Sequence, residues 1–224
     1  MTFLSYIVIV LGYISLLVFI LGMAYRIWNW THRPIGFNWE LFPKPTNSTF
    51  FSLLLGRILA MPTLFKSDKQ LLLVALAMHL AIITSIFLHL ELFTSLGREN
   101  IIDITGSTAG MLGIVLVSYF IFRRIILREA RELTSFADYF WLSVLLLLVA
   151  LGTHLRIGNF VEPEAYRTFA VSVITFKPAL PPPNPWFLTH ALIGEIYLTY
   201  IVAGKMMHSI GWFFAQYIMV SERQ

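Results

Sequence analysis

Five long apolar runs separated by polar segments organise this chain, at about residues 3–25, 71–93, 107–122, 137–155 and 186–204. Crossing the hydrocarbon core of a bilayer takes roughly 20 helical residues, so each run reads as a transmembrane helix, the third being the shortest. Membrane strands are set aside, because a barrel strand alternates apolar and polar positions over about ten residues and these runs are continuously apolar. The pattern predicts an all-α integral membrane bundle of five transmembrane helices, with residues 1–224 forming one domain, since the connections are too short to hold a separate soluble one. No basic residue precedes the first run, no small-residue cleavage pattern follows it, and Arg26 comes at once, so it reads as an uncleaved span rather than a signal peptide.

The polar segments set orientation and hint at partners. Basic residues that flank spans are retained on the cytoplasmic side. Arg26, Arg33, Lys44, Arg57, Lys66 and Lys69 lie between spans one and two, and Arg123, Arg124, Arg128 and Arg131 between spans three and four. The opposite side carries only Arg98, Arg156, Arg167 and Lys177, mixed with acids, so the amino terminus is expected outside and the carboxyl terminus in the cytoplasm. Within the first cytoplasmic segment, Phe50, Phe51, Leu54, Leu55 and Ile58 fall at helical spacing between Ser48 and Met61. A short interfacial helix is expected there, lying on the membrane or docking a cytoplasmic partner subunit. From Lys177 to Trp186 five prolines forbid continuous helix, which predicts a stiff extended cap with Trp186 at the headgroup level.

Composition sharpens the picture. The chain is 58% hydrophobic and 12% charged, against about a quarter charged in soluble domains, so its solvent is largely lipid. It has no cysteine, which excludes thiolate-held iron–sulfur clusters, covalently attached c-type haem and disulfides. The net charge of +4 comes from the loops, with no basic, aromatic-spaced stripe of the kind nucleic acid requires.

The candidate chemistry lies in histidines. A histidine inside a bilayer is costly and starts as a functional hypothesis. His79 and His89 lie ten residues apart in span two, and His190 and His208 lie eighteen apart in span five and its cytoplasmic extension. Spans two and five run antiparallel, which pairs His79 with His208 near the inner face and His89 with His190 near the outer face. Ten helical residues rise about 15 Å and eighteen about 27 Å, so the pairs are separated by roughly 21 Å along the membrane normal, with members about 6 Å out of level in straight helices. Ten residues also leave His79 and His89 about 80° apart around span two, which predicts macrocycles that are not parallel. Two imidazoles on each iron fill both axial positions, giving two bis-histidine b-type haems that pass electrons without bond chemistry at the iron. The competing readings are interhelical hydrogen-bonding histidines and a metal-ion or proton transport path. His154, at the outer end of span four, is expected in a loop or propionate-contacting role, and His32 as a solvated side chain.

These spacings, His79-x9-His89 and His190-x17-His208, resemble the gamma subunit of respiratory nitrate reductase and its wider family of dihaem quinol-oxidising subunits, including the membrane cytochromes of heterodisulfide reductase, sulfite-reduction and some hydrogenase complexes. Gly106-Ser107-Thr108-Ala109-Gly110 opening span three and Arg123-Arg124 closing it match more weakly. The resemblance implies a prokaryotic cell-membrane subunit of a respiratory oxidoreductase. A quinol or quinone site would lie beside the outer haem, and electrons would leave the inner haem for a cytoplasmic iron–sulfur subunit and, beyond it, a catalytic subunit. Where nitrate reductase is associated with a quinol-binding lysine, this chain offers Arg98; its shorter outer loop and longer first cytoplasmic segment favour another complex of the family over nitrate reductase itself. Electrons driven inward against 100 mV would store about 2.3 kcal/mol each, and the reverse direction uses the same wiring. A stand-alone transmembrane reductase of b561 type is the alternative within redox chemistry.

Remaining charges near the spans are candidate cofactor contacts. Arg124 and Arg156 stand at span ends where propionates emerge, and Lys205, three residues before His208, either snorkels to the inner surface or meets a propionate. Glu195, five residues after His190, is expected as a proton relay, a tuner of haem potential or a hydrogen-bonded interior residue.

Overall fold

A computed structural model of the chain describes residues 2–32, 66, 68–93, 100–160, 162–207 and 211. The described residues are helical, with no strand among them. In chain order the helices are α1 (Thr2–His32), α2 (Lys69–Leu88), α3 (Asn100–Ile126), the short α4 (Arg128–Glu132), α5 (Phe136–Gly158), α6 (Pro163–Ile174) and α7 (Pro185–Ala203). A 3₁₀ turn, His89–Leu92, continues α2, and another, Lys205–Met207, follows α7. Five stretches are long and apolar enough to cross a membrane: Phe3–His32, Lys69–Leu92, Ile101–Ile126, Phe136–Gly158 and Pro185–Ala203. Their outward faces suit lipid: Leu73, Leu80 and Phe87 on α2 are 67%, 67% and 64% exposed, a surface that water would not tolerate over such a length. The interfacial helix expected over 48–61 lies outside the described residues.

The third span is a correction. Sequence pattern marks 107–122 as a short run, yet α3 is a 27-residue helix. Asp103, Gly106, Ser107 and Thr108 dilute its hydropathy at one end, but this polar end is accommodated by neighbouring side chains. Gly106 lies against the Arg156 side chain, Gly110 against Thr153, and a Cβ at Gly113 would sit 3.1 Å from Val149. Glycines at i, i+4 and i+7 thus let α3 approach antiparallel α5 closely, the usual way membrane helices gain packing where no hydrophobic force drives them together.

The ends of the helices follow local rules. Asp68 accepts a hydrogen bond from the Leu71 amide (2.8 Å) at the start of α2. Ser135 and Asp138 form a reciprocal capping box at the start of α5, and Asn159, at a left-handed φ of 47°, closes it. The Asn184 side chain accepts from the Trp186 and Phe187 amides (2.9 and 3.1 Å) and so starts α7. Residues 177–184 form no helix, as the prolines require, with a bend at Pro183 and with Pro181 and Pro182 buried. The segment before them is not loop: α6 is a helix begun by Pro163 at its first position.

The helices group into two compact units, residues 1–16 with 74–198 and residues 17–73 with 199–224. In the larger, Val8, Val117 and Leu188 are fully buried. The Phe187 ring on α7 meets Tyr166 and Phe169 of α6, and Tyr13 on α1 donates its hydroxyl to the Val173 carbonyl (3.1 Å). In the smaller, Gly22 of α1 packs on Val202, and Trp28 stacks on the exposed His32 ring at 3.7 Å between centroids.

Candidate functional site

The site forms where α2, α5 and α7 come together at one end of the larger unit. The α-helix of span two gives way to a 3₁₀ turn at His89, so the last part of that span is tighter than a continuous α-helix. The His89 and His190 rings face each other with centroids 6.2 Å apart and planes only 13° from parallel. A metal–imidazole bond of about 2 Å and a ring-centre-to-nitrogen distance of about 1.1 Å would put the ring centres of two imidazoles on opposite sides of one metal about 6.2 Å apart, which is the separation of this pair. Ring separation alone also suits an offset aromatic pair. The hydrogen bonding is what a ligand needs in addition.

His89 Nδ1–H donates to the Ser85 carbonyl (2.7 Å), and His79 Nδ1–H donates to the Ala75 carbonyl in the same way (2.7 Å). A carbonyl can only accept, so each ring is fixed in the tautomer that leaves Nε2 with its lone pair, the nitrogen a metal takes. The His190 ring lies on Gly152 of α5, where a Cβ would come within 3.0 Å of its Cε1; any larger residue there would push the ring. Its Nδ1 is buried without a closed hydrogen bond, although the Leu148 backbone approaches the ring.

A second cluster flanks this pair. Arg156, in the last turn of α5, pairs with Glu91 in the 3₁₀ turn and with Asp103 in the first turn of α3 (3.4 Å). The Arg156 and Glu91 side chains are only 14% and 17% exposed, so the ion pair is largely removed from solvent. α6 packs over the same 3₁₀ turn and covers this end. Sequence reasoning placed Arg156 here as a propionate contact but missed Glu91, Asp103 and Gly152. Glu91 carries a legible signal, an acid breaking the apolar run two residues after His89, whereas Gly152 carries none.

The other expected contacts are dispersed. Arg124, at the opposite end of α3, donates to the Phe120 carbonyl (3.1 Å), and the Tyr139 hydroxyl donates to the Arg124 carbonyl (2.8 Å). Lys205 is exposed in the turn after α7, just past the helical part of span five. The Glu195 carboxylate lies beside Gly12 of α1, 3.2 Å from where a Cβ would stand. His154 packs its ring against Phe160 and Trp186, with centroids 4.7 and 5.0 Å away. Arg98 and His208 lie outside the described residues, so the partner expected for His79 is not among them. Among the described residues no three histidine, aspartate or glutamate side chains gather as a metal-ion site; axial haem ligation asks for two.

No family model matches the sequence. The chain is similar to the "Hdr-like menaquinol oxidoreductase cytochrome b-like subunit" of Archaeoglobus profundus, with 23% identity over 264 aligned positions that cover 93% of this chain and 77% of the relative. That relative is named as a cytochrome b-like subunit, and the likeness does not single out the gamma subunit of nitrate reductase.

Proposed function

We propose that this chain is the membrane cytochrome b subunit of a respiratory oxidoreductase complex, exchanging electrons between a quinol pool and a cytoplasmic iron–sulfur subunit that serves a catalytic subunit. The observation that carries the reading is the 6.2 Å, nearly parallel approach of the His89 and His190 rings. The similar archaeal subunit is named for menaquinol, which makes menaquinol the quinol of choice. His89 and His190 would hold one haem b, and His79, with its matching Nδ1 bond, would hold the other with His208. Bound there, the haems supply reversible one-electron transfer with no open coordination site.

The chain's own residues do the rest. The backbone carbonyls of Ser85 and Ala75 hold the imidazoles of His89 and His79 in their ligating tautomer. Gly152 leaves room for the His190 ring, and the apolar helices keep bulk water from it. Arg98 is the cation assigned to the quinol; Arg124 and Lys205 are assigned to propionates at the inner haem and Arg156 to the outer one. The amino terminus is outside and the carboxyl terminus in the cytoplasm, by the distribution of Arg and Lys.

Protein purified from membranes should show the optical spectrum of low-spin b-type haem at about two haems per chain. His89→Ala and His190→Ala should each remove the same one of the two. Protein without haem absorption would end this reading.

A further inference from the structure

We infer that the exposed face of α6 and the turn that follows it bind the phosphate headgroup of an anionic phospholipid, with Arg167 and Lys177 as the headgroup cations and Phe176 as an apolar anchor. This does not depend on haem at the histidine pair. α6 has two faces. Tyr166 and Phe169 meet Phe187 of α7, while the opposite face carries Glu164, Arg167, Thr168, Ser172 and Thr175 at helical intervals. Together with Lys177 these residues line an open cleft of about 420 Å³. Two cations against one acid leave the lining with one positive charge in excess. Glu164 approaches Arg167 only to 3.8 Å, and Lys177 forms no ion pair among the described residues.

The walls of the cleft are fixed by backbone hydrogen bonds. The Ser172 hydroxyl donates to the Phe169 carbonyl (2.6 Å) and accepts from the Ala179 amide (2.9 Å), which holds the chain after Lys177 against the helix. At the helix end the Phe176 amide donates to the Val173 carbonyl (3.1 Å) and the Lys177 amide to the Ser172 carbonyl (3.0 Å). This is a Schellman turn with Phe176 at its left-handed position, φ 57°. Glycine is the residue that conformation favours, and a bulky side chain there is strained. The Phe176 ring is 77% exposed all the same, with one side stacked on Tyr13 of α1 at 5.7 Å between centroids. Ile174 and Leu180, close to it in sequence, are exposed as well. Such an aromatic among aliphatic side chains suits acyl chains at a membrane interface. The Ser172 and Thr175 hydroxyls already donate to backbone carbonyls, so Arg167, Lys177 and the Thr168 hydroxyl are the donors for phosphate oxygens. A phospholipid offers the phosphate and the acyl chains in one molecule, whereas a free phosphate would use the polar half alone.

The test is native mass spectrometry of the purified full chain in a non-ionic detergent, with dioleoylphosphatidylglycerol as the probe. Dioleoylphosphatidylcholine, which has the same acyl chains and a phosphate but no net charge, is the control. The unaltered protein should retain phosphatidylglycerol in preference to phosphatidylcholine; equal retention of the two overturns the inference. Arg167→Gln and Lys177→Gln should each weaken retention about fivefold, and together about thirtyfold. Lys177→Arg, which keeps the charge, should stay within about twofold of the unaltered protein. Arg128→Gln removes an exposed cation outside the cleft and should change nothing; if it weakens retention as much as the cleft variants, overall charge is responsible and the inference fails. Phe176→Gly supplies the residue the turn favours, so it should keep the thermal midpoint while weakening retention about threefold. Unchanged retention in that variant or in the double cation variant overturns the inference. Displacement of the lipid by excess inorganic phosphate would assign the cleft to a free anion and overturn it as well. None of these readouts involves haem, so they are decided separately from the proposed function.

Discussion

Gly152 shows how much of the site depends on a side chain that is not there. The His190 ring occupies the space a Cβ would need, so Gly152→Val should displace that imidazole while leaving α5 helical. The expected result is loss of about one of the two haems by pyridine haemochrome assay, with unchanged far-ultraviolet circular dichroism. At this scale the sequence reveals some residues and hides others, for a physical reason. A titratable ring inside a continuous apolar run is costly wherever it points, so His79, His89 and His190 stand out from the chain alone. Glu91, Asp103 and Gly152 acquire meaning only from partners on other helices. Spacing along one chain does not say which faces will meet.

Helices behave in the same divided way. The capping box at Ser135 is written locally, and Ser135→Ala should cost about 1 kcal/mol, read as a lower thermal midpoint of the detergent-solubilised protein. The α3–α5 seam is not local: Gly110 lies so close to Thr153 that Gly110→Leu would overpack it, with an expected loss of about 1–3 kcal/mol in the same melting experiment. Hydropathy found all five spans because lipid demands it of every one. It misjudged the length of the third because the polar residues that dilute its average belong to a helix end met by other side chains, Asp103 by Arg156. It overlooked α6 because one turn after another of that helix mixes Tyr166 and Phe169 with Arg167 and Thr168, a pattern that suits an interface rather than a span.

For the molecule as a whole, the lack of cysteine makes orientation directly measurable. With a cell-impermeant maleimide, Glu164→Cys should label in intact cells and Arg128→Cys only after permeabilisation; the reverse would invert the assigned topology. The five-helix architecture was legible because burial in lipid imposes one rule on the entire chain. The meeting of the His89 and His190 rings was legible as a pairing, but their mutual angle was not, since it depends on helix rotation and on the tighter turn at His89. That angle reaches into magnetism. With an iron held between them, as proposed, two imidazole planes only 13° apart would direct their π-orbitals along a common axis and split the metal d-orbitals that a crossed pair would leave nearly equal in energy. The oxidised centre should therefore give a rhombic, well-resolved resonance rather than a single, highly anisotropic low-field feature.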